Sequence, residues 1–296
     1  MRTLLADGNF KQEHLRMKSP EDDVPLSDGH GYMVGKADFD HYIEHAPDPG
    51  VQKSTCHEHN TVKSQNLTHA HLDATGIGAI TCARHGCFYP HSVINFQKGE
   101  GFRYMDYVFY WVNFKKQIVN YRDLLTLPDN FTIKRGIGLF HVHGHQKECY
   151  PRFAPTFIQG AGMVDGEVIE TLWHTLNYTA SSMRSMSWFH RQEYLDAHMA
   201  DSNWKKLTKI VSSILRKWKA CIEQVQDTEE YYQELCTRIG PDNVEVMDSI
   251  DVKNDKAPGK AKVQLQLTEA ESEMTSDVLP ESAAWIAFGL KLEEQQ

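Results

Sequence analysis

Short apolar runs of strand character occupy the first half of this chain, and helical periodicity takes over after Asp165. That order limits the fold to an α/β or α+β arrangement. Residues 3–6 form an apolar run that Asp7-Gly8-Asn9 breaks, and residues 10–17 alternate towards a second strand. Tyr32-Met33-Val34 is another short pattern, whereas residues 38–66 read as a polar, histidine-bearing loop punctuated by Pro47, Pro49 and Gly50. Residues 74–81 suit a short buried strand whose glycines permit close backbone approach. The aromatic-rich residues 103–127 are predicted helical, Pro128-Asp129-Asn130 ends them, and residues 132–142 return to strand character. Val168, Ile169, Leu172, Trp173 and Leu176 then mark one helix face, and one or two further helices are expected over about 181–238.

Composition narrows the class. The chain has 296 residues, 41% hydrophobic and 24% charged, which excludes fully disordered, collagen-like and coiled-coil proteins. No apolar run approaches the roughly 20 residues that span a bilayer, and the first residues lack a secretory h-region, so a soluble protein is expected. The net charge of −9 is unevenly spread: residues 1–222 hold 25 Lys/Arg against 23 Asp/Glu, and residues 223–296 hold 6 against 17. An acidic total therefore says little against nucleic-acid binding by the first part.

Six cysteines in a chain this long fit reduced thiols or metal ligands better than a disulfide framework. All 16 histidines fall between His14 and His198. Cys56-x-x-His59 and Cys82-x-x-His85 supply two thiolates and two imidazoles, the donor set of a closed tetrahedral Zn²⁺, with Cys87 and His57 as spare ligands. The same residues also suit free thiols and surface histidines. A second cluster, His141, His143 and His145 with Cys149, has two readings. On a strand the three imidazoles share a face, as a catalytic metal triad would; on a helix His141, His145 and Cys149 do. Structural hydrogen bonding by these histidines is the plainer alternative.

Two further groups could carry chemistry. Asp7 follows the first apolar run, and Asp165, Glu167 and Glu170 open the helix after Gly166; carboxylates gathered this way can hold Mg²⁺ or Mn²⁺. The helix macrodipole favours acids in a first turn in any case. Asp106 is one more acid, in an aromatic setting. Between Asp201 and Glu223 stand Lys205, Lys206, Lys209, Arg216, Lys217 and Lys219 with no acid, around an apolar stripe of Trp204, Leu207, Ile210, Val211, Ile214, Leu215 and Trp218. A helix that buries the stripe and offers the cations could contact DNA phosphates, or simply present a solvated face.

In order, the blocks LLADGNFKQEHLRM, TGIGAITCARHG, KGEGFRYMDY, GIGLFHVHGHQKECYPRFAP, GAGMVDGEVIETLW and AWIAFGLKLEEQQ resemble the KDZ (Kyakuja–Dileera–Zisupton) transposases, which abound in fungal genomes. The resemblance implies an RNase H-like, DDE-type core in an α/β fold with a zinc-binding Cys/His insertion and C-terminal helices. It implies Asp7 as the first catalytic Asp and places the final catalytic Glu within residues 165–170, at Glu170 ahead of Glu167. It implies structural Zn²⁺ at Cys56, His59, Cys82 and His85 and assigns His141, His145 and Cys149 to family ligand positions. The implied chemistry is Mg²⁺-dependent strand cleavage by water, followed by attack of the freed 3′-OH on target DNA. Transposon ends and target DNA are the implied partners, with a possible homo-oligomer, no membrane, and the nucleus as location.

Two departures shape the expectation. Residues 108–135 lack the YD-[IV]-ACQ-like block that holds the family's middle catalytic Asp, and their only acids are Asp123 and Asp129. The family's N-terminal cysteine cluster is also absent, so a truncated or degenerate copy with incomplete catalysis is expected. The expected organisation is a core over 1–177 with the insertion at about 40–100, a helical extension over 178–240, an acidic flexible linker over 241–278 and an amphipathic helix over 279–296. The alternatives are a non-catalytic, zinc-stabilised DNA- or protein-binding relic and a zinc hydrolase built on His141, His143 and His145.

Overall fold

The segment GIGAITC has a small or apolar residue at nearly every position, the pattern of a strand covered on both faces. In a computed structural model, which describes residues 2–46, 70–97, 102–114, 133–249 and 265, it is the central strand of a three-stranded antiparallel sheet. With β1 (Leu4–Asn9), β2 (His14–Leu15), β3 (Leu72–Ala74), β4 (Gly76–Cys82) and β5 (Phe88–Phe96), the order in this sheet is β1-β4-β5. β1 runs against β4 from Leu4↔Cys82 to Asn9↔Ile77, and β5 from Gly76↔Phe96 to Ala79↔Val93. The register then slips before Thr81↔Phe88, where β5 carries Pro90 and the positive-φ His91. β2 and β3 form a separate two-stranded ladder.

Period-two alternation sorts the strands between two cores. Ile77, Ala79 and Val93 pack with Ile169, Leu172, Trp173, Leu176, Leu195 and Met199, from α5 (Val168–Asn177) and α7 (Trp188–Leu207). Ile80, Ile94 and Phe96 pack with Phe39 and Tyr42 of α1 (Lys36–His45) and Tyr104, Tyr107 and Val108 of α2 (Phe102–Phe114). Each fully buried Val, Leu, Ile, Phe or Met among them contributes about 1.5–3 kcal/mol. The result is helix, sheet and helix in three layers, a mixed α/β arrangement. Arg191 of α7 lies 1% exposed in this body. It donates to Asn95 Oδ1 at 2.5 Å and to the Gln12 carbonyl at 2.7 Å. Burial among neutral oxygens pushes its pKa down to about 10.

The short helices α3 (Leu139–Val142), α4 (Cys149–Phe153) and α6 (Ala180–Met183) connect the larger elements, and α8 (Ile210–Ile239) follows α7. The chain divides into two compact units, Met1–Arg238 and Ile239–Gln296; within the second, α9 (Pro241–Ser249) is described. No helix among the described residues is long and apolar enough to cross a membrane.

Several local expectations change. β1 continues through Asp7-Gly8-Asn9, because pairing with β4 outweighs the turn preference of those residues. Residues 10–17 contribute only the two-residue β2. Residues 36–45 form a helix rather than a loop, anchored by Phe39 and Tyr42. Residues 133–138 join no strand, and residues 139–142 are helical, so the strand expected over 132–142 does not form. Residues 241–249, expected to begin a flexible linker, form α9, while the rest of that linker apart from residue 265, the rest of the helix expected over 103–127 and the C-terminal helix lie outside the described residues.

Candidate active site and basic groove

Asp7 lies opposite Ala79 on β1, on the strand face shared with Leu5 and Asn9. That face meets α5 at two polar contacts. Trp173 Nε1 donates to Asp7 Oδ2 at 2.7 Å, and Asn9 Nδ2 donates to Asn177 Oδ1 at 2.9 Å. Glu170, Trp173 and Asn177 recur at three- and four-residue spacing, so one stripe of α5 carries all three along β1. Burial pushes the Asp7 carboxyl above its ordinary range, with the Glu167 charge adding to the shift and Trp173, Gly8 and His141 opposing it. Glu170 is raised in the same way, by burial first and then by the charges of Asp7 and Glu167. Residues more than 160 positions apart thus feel one another's charge.

Glu167 is the N-cap of α5, and its carboxylate faces residues 138–141. Oε1 accepts the Phe140 N–H at 3.0 Å, and Oε2 lies 3.0 Å from His141 Nδ1. His141 Nε2 is 3.9 Å from Glu170 Oε1, so the imidazole that hydrogen-bonds Glu167 also lies near Glu170. Gly138 makes this approach possible, since a Cβ there would stand 2.1 Å from Glu167 Oε1. Asp165 is exposed and works locally: Oδ1 accepts the Glu167 N–H at 3.0 Å, and its carbonyl accepts the Leu139 N–H at 2.8 Å. Asp106 belongs to α2, which packs on the opposite sheet face.

The described metal-type residues fall at the β4–β5 turn, around α3 and α4, and on α1. Cys82 Sγ and His85 Nδ1 lie 3.4 Å apart in the β4–β5 turn, while Cys56 and His59 lie outside the described residues. Burial raises the Cys87 thiol. α3 ends at Val142 and α4 begins at Cys149, so neither a strand nor one helix carries His141, His145 and Cys149 on a shared face. His143 instead packs against Tyr150, with ring centroids 5.3 Å apart. Among the described residues, the set of three donors lying within 4.8 Å of one another is His41, Glu44 and His45, on the exposed face of α1. His141, His143 and His145 are not brought together in this way.

The cations are gathered more closely. Lys205, Lys206, Lys209, Arg216 and Lys217 line a groove of about 540 Å³ with Arg84, His85 and His198. Lys217 Nζ donates to the Arg84 carbonyl at 3.1 Å, and Arg84 donates to the Ala161 carbonyl at 2.9 Å, tying α8 to the β4–β5 turn. Its one acid, Asp201, pairs with Lys205 at 2.6 Å. Burial lowers the Lys206 pKa. Lys219 is exposed on α8 and does not line the groove. The apolar stripe expected to be buried is open instead: Trp204 is 65% exposed and Trp218 63%.

Sequence reasoning missed Trp173, His141 and Arg84 in these roles. Trp173 had a signal, since it follows Glu170 by three residues; Arg84 had none before the turn was placed beside α7 and α8. No curated protein and no solved structure matches this chain. The family model of the Kyakuja-Dileera-Zisupton transposases matches residues 1–119 and 111–203, which hold Asp7, the acid-bearing helix and the Cys82–His85 turn, and the chain belongs to this KDZ transposase family.

Proposed function

We propose that this chain is a transposase-derived DNA-binding protein that keeps Asp7 and Glu170 of a DDE-type centre on part of an RNase H-like sheet, and that it does not cleave DNA. The observation that carries this reading is the edge position of β1. The order β1-β4-β5 leaves the far side of the Asp7 strand without a ladder among the described residues. In the architecture the family implies, the strand bearing the middle acid pairs there. The family match also falls in two pieces that meet at residues 111–119, inside the interval that lacks the middle block.

The described acids do not fit the two-ion site that the family implies. The Glu167 charge opposes ionisation of Asp7 and of Glu170, and the Asp7 charge opposes that of Glu170, as in clustered carboxylates, but the three do not gather their donor atoms within 4.8 Å of one another, the reach of a single ion. Glu167 is engaged by Phe140 and His141, and Asp7 Oδ2 by Trp173. The turn fits its expected group better: Cys82 and His85 supply one half of a zinc site, and Cys56 and His59 are the remaining pair. An ion bound there supplies a structural crosslink.

The groove supplies the binding function. Six Lys and Arg side chains against one paired acid form a track for a phosphate backbone, and such contacts carry no base specificity. Binding to chromosomal DNA places the protein in the nucleus of its host. The test combines fluorescence anisotropy on duplex DNA with nicking of supercoiled plasmid in Mg²⁺ or Mn²⁺. The expected result is binding that weakens steeply with salt, and no nicking. Nicking that disappears in Asp7→Asn would restore the nuclease reading, and absence of binding would remove the DNA reading.

A further inference from the structure

α1 buries Phe39 and Tyr42 and carries His41, Glu44 and His45 on its exposed side. Residues three and four apart are neighbours on a helix, so one ridge holds all three. The two imidazole rings lie 4.3 Å apart between centroids. One ligand atom from each side chain, two ring nitrogens and a carboxylate oxygen, falls within 4.8 Å of the others. This cluster sits in the helix layer across the sheet from α5, and so apart from Asp7, Glu167 and Glu170.

The local chemistry favours a dication. His45 Nδ1 lies 2.7 Å from the His41 carbonyl, and a carbonyl only accepts, so Nδ1 carries the ring proton. Nε2 of His45 therefore keeps its lone pair, and the carbonyl orients the ring as outer partners orient metal-bound histidines. Asp38 precedes His41 by three residues and His45 by seven, which places its charge along the same face. Lys36, the cation of α1, is held elsewhere, in an ion pair with Asp40 and 5.1 Å over the Trp188 ring. The cluster also occupies the last turn of α1, whose carbonyl end favours positive charge. Two imidazoles with one carboxylate suit Zn²⁺ or Ni²⁺, whereas Mg²⁺ and Ca²⁺ prefer oxygen donors throughout. Bonds of about 2.0–2.2 Å place any two ligand atoms of one ion less than about 4.4 Å apart, so small turns of exposed side chains close the site.

We infer that His41, Glu44 and His45 bind a divalent transition-metal ion such as Zn²⁺ or Ni²⁺, with water in the remaining positions, and that the ion pins the last turn of α1. It joins residues four apart, and so holds the helix end that the Ala46 N–H closes on the Tyr42 carbonyl at 2.7 Å. The inference depends neither on the Cys82–His85 turn nor on whether the groove binds DNA.

Titration of the full chain with Ni²⁺, followed through its backbone amide NMR signals, tests it, because a paramagnetic ion broadens the residues nearest to it. Saturable broadening centred on residues 41–46 is expected. His41→Ala and His45→Ala should each raise the dissociation constant of that event at least about tenfold. Glu44→Gln should weaken it to a smaller extent, and His190→Ala, at an exposed histidine of α7, should leave it unchanged. The substituted side chains of α1 are exposed and its anchors Phe39 and Tyr42 remain, so circular dichroism should match across the variants. A second measurement needs no variant: Zn²⁺ should slow hydrogen exchange at the His45 and Ala46 amides of the unaltered chain. Broadening that never centres on residues 41–46 would overturn the inference. So would an affinity indifferent to the α1 variants, or exchange at the end of α1 that Zn²⁺ leaves unchanged.

Discussion

Asp7 shows how one side chain can be poised against the stability of its own fold. Burial and the nearby Glu167 charge favour its neutral form, so its native pKa is raised. An acid raised in this way stabilises the fold fully below its unfolded value, about 3.9, and that stabilisation is lost as pH rises through the native value. Asp7→Asn keeps an acceptor for Trp173 Nε1 and removes the charge. The variant should therefore melt higher than the unaltered protein at pH 7, with the difference fading below pH ~4. Melting curves across pH would refute this if the two proteins tracked each other. Arg191 presents the opposite case, a buried cation whose removal leaves Asn95 Oδ1 and the Gln12 carbonyl without a donor. Arg191→Ala adds a cavity to those orphaned acceptors and should cost about 3–5 kcal/mol in urea unfolding. A loss below 1 kcal/mol would mean that water replaces the guanidinium at little cost.

At the scale of elements, close packing around β4 decides how α2 sits on the sheet. A Cβ on Gly78 would stand 2.4 Å from Phe96 Cζ and 2.9 Å from Met105 Sδ. Gly78→Ala should destabilise by about 1–3 kcal/mol through overpacking. Pairing it with Phe96→Leu, which relieves the ring contact, should return part of that loss. Additive losses in the double variant would show that the strand backbone, rather than the ring, is sensitive. The same logic explains why the Asp7-Gly8-Asn9 segment stays in the strand: Gly8 and Gly78 face each other in the ladder beneath the Phe96 ring. Glycine here serves approach rather than turning.

For the whole molecule, the groove brings together cations from the β4–β5 turn, α7 and α8. If DNA lies in it, replacing Lys206, Lys209 or Arg216 by alanine should each weaken binding uniformly across sequences and lower the salt slope by about 1. Lys219→Ala, outside the groove, should leave the slope unchanged. Equal effects at Lys209 and Lys219 would place the phosphate path along exposed α8 instead. The measurement is anisotropy titration over a range of salt concentrations.

The sequence by itself determined the periodic features: β4 as a strand with no polar face, α5 with its stripe of Ile169, Leu172, Trp173 and Leu176, and the acid pairing of Glu167 with Glu170 three residues on. The ordered blocks, recurring across most of the chain, also pointed to the family without any coordinates. These signals are local, because each depends on residues within one or two turns or along one strand. Tertiary structure alone decided what depends on distant neighbours. β5 crosses Pro90 because β4 supplies its ladder on either side of the slip, and α1 forms where Phe39 and Tyr42 find a core. His141 came to lie between Glu167 and Glu170, and Arg84 became a groove residue. In each case the deciding contact comes from a segment far along the chain, and such encounters have no periodicity to read in advance.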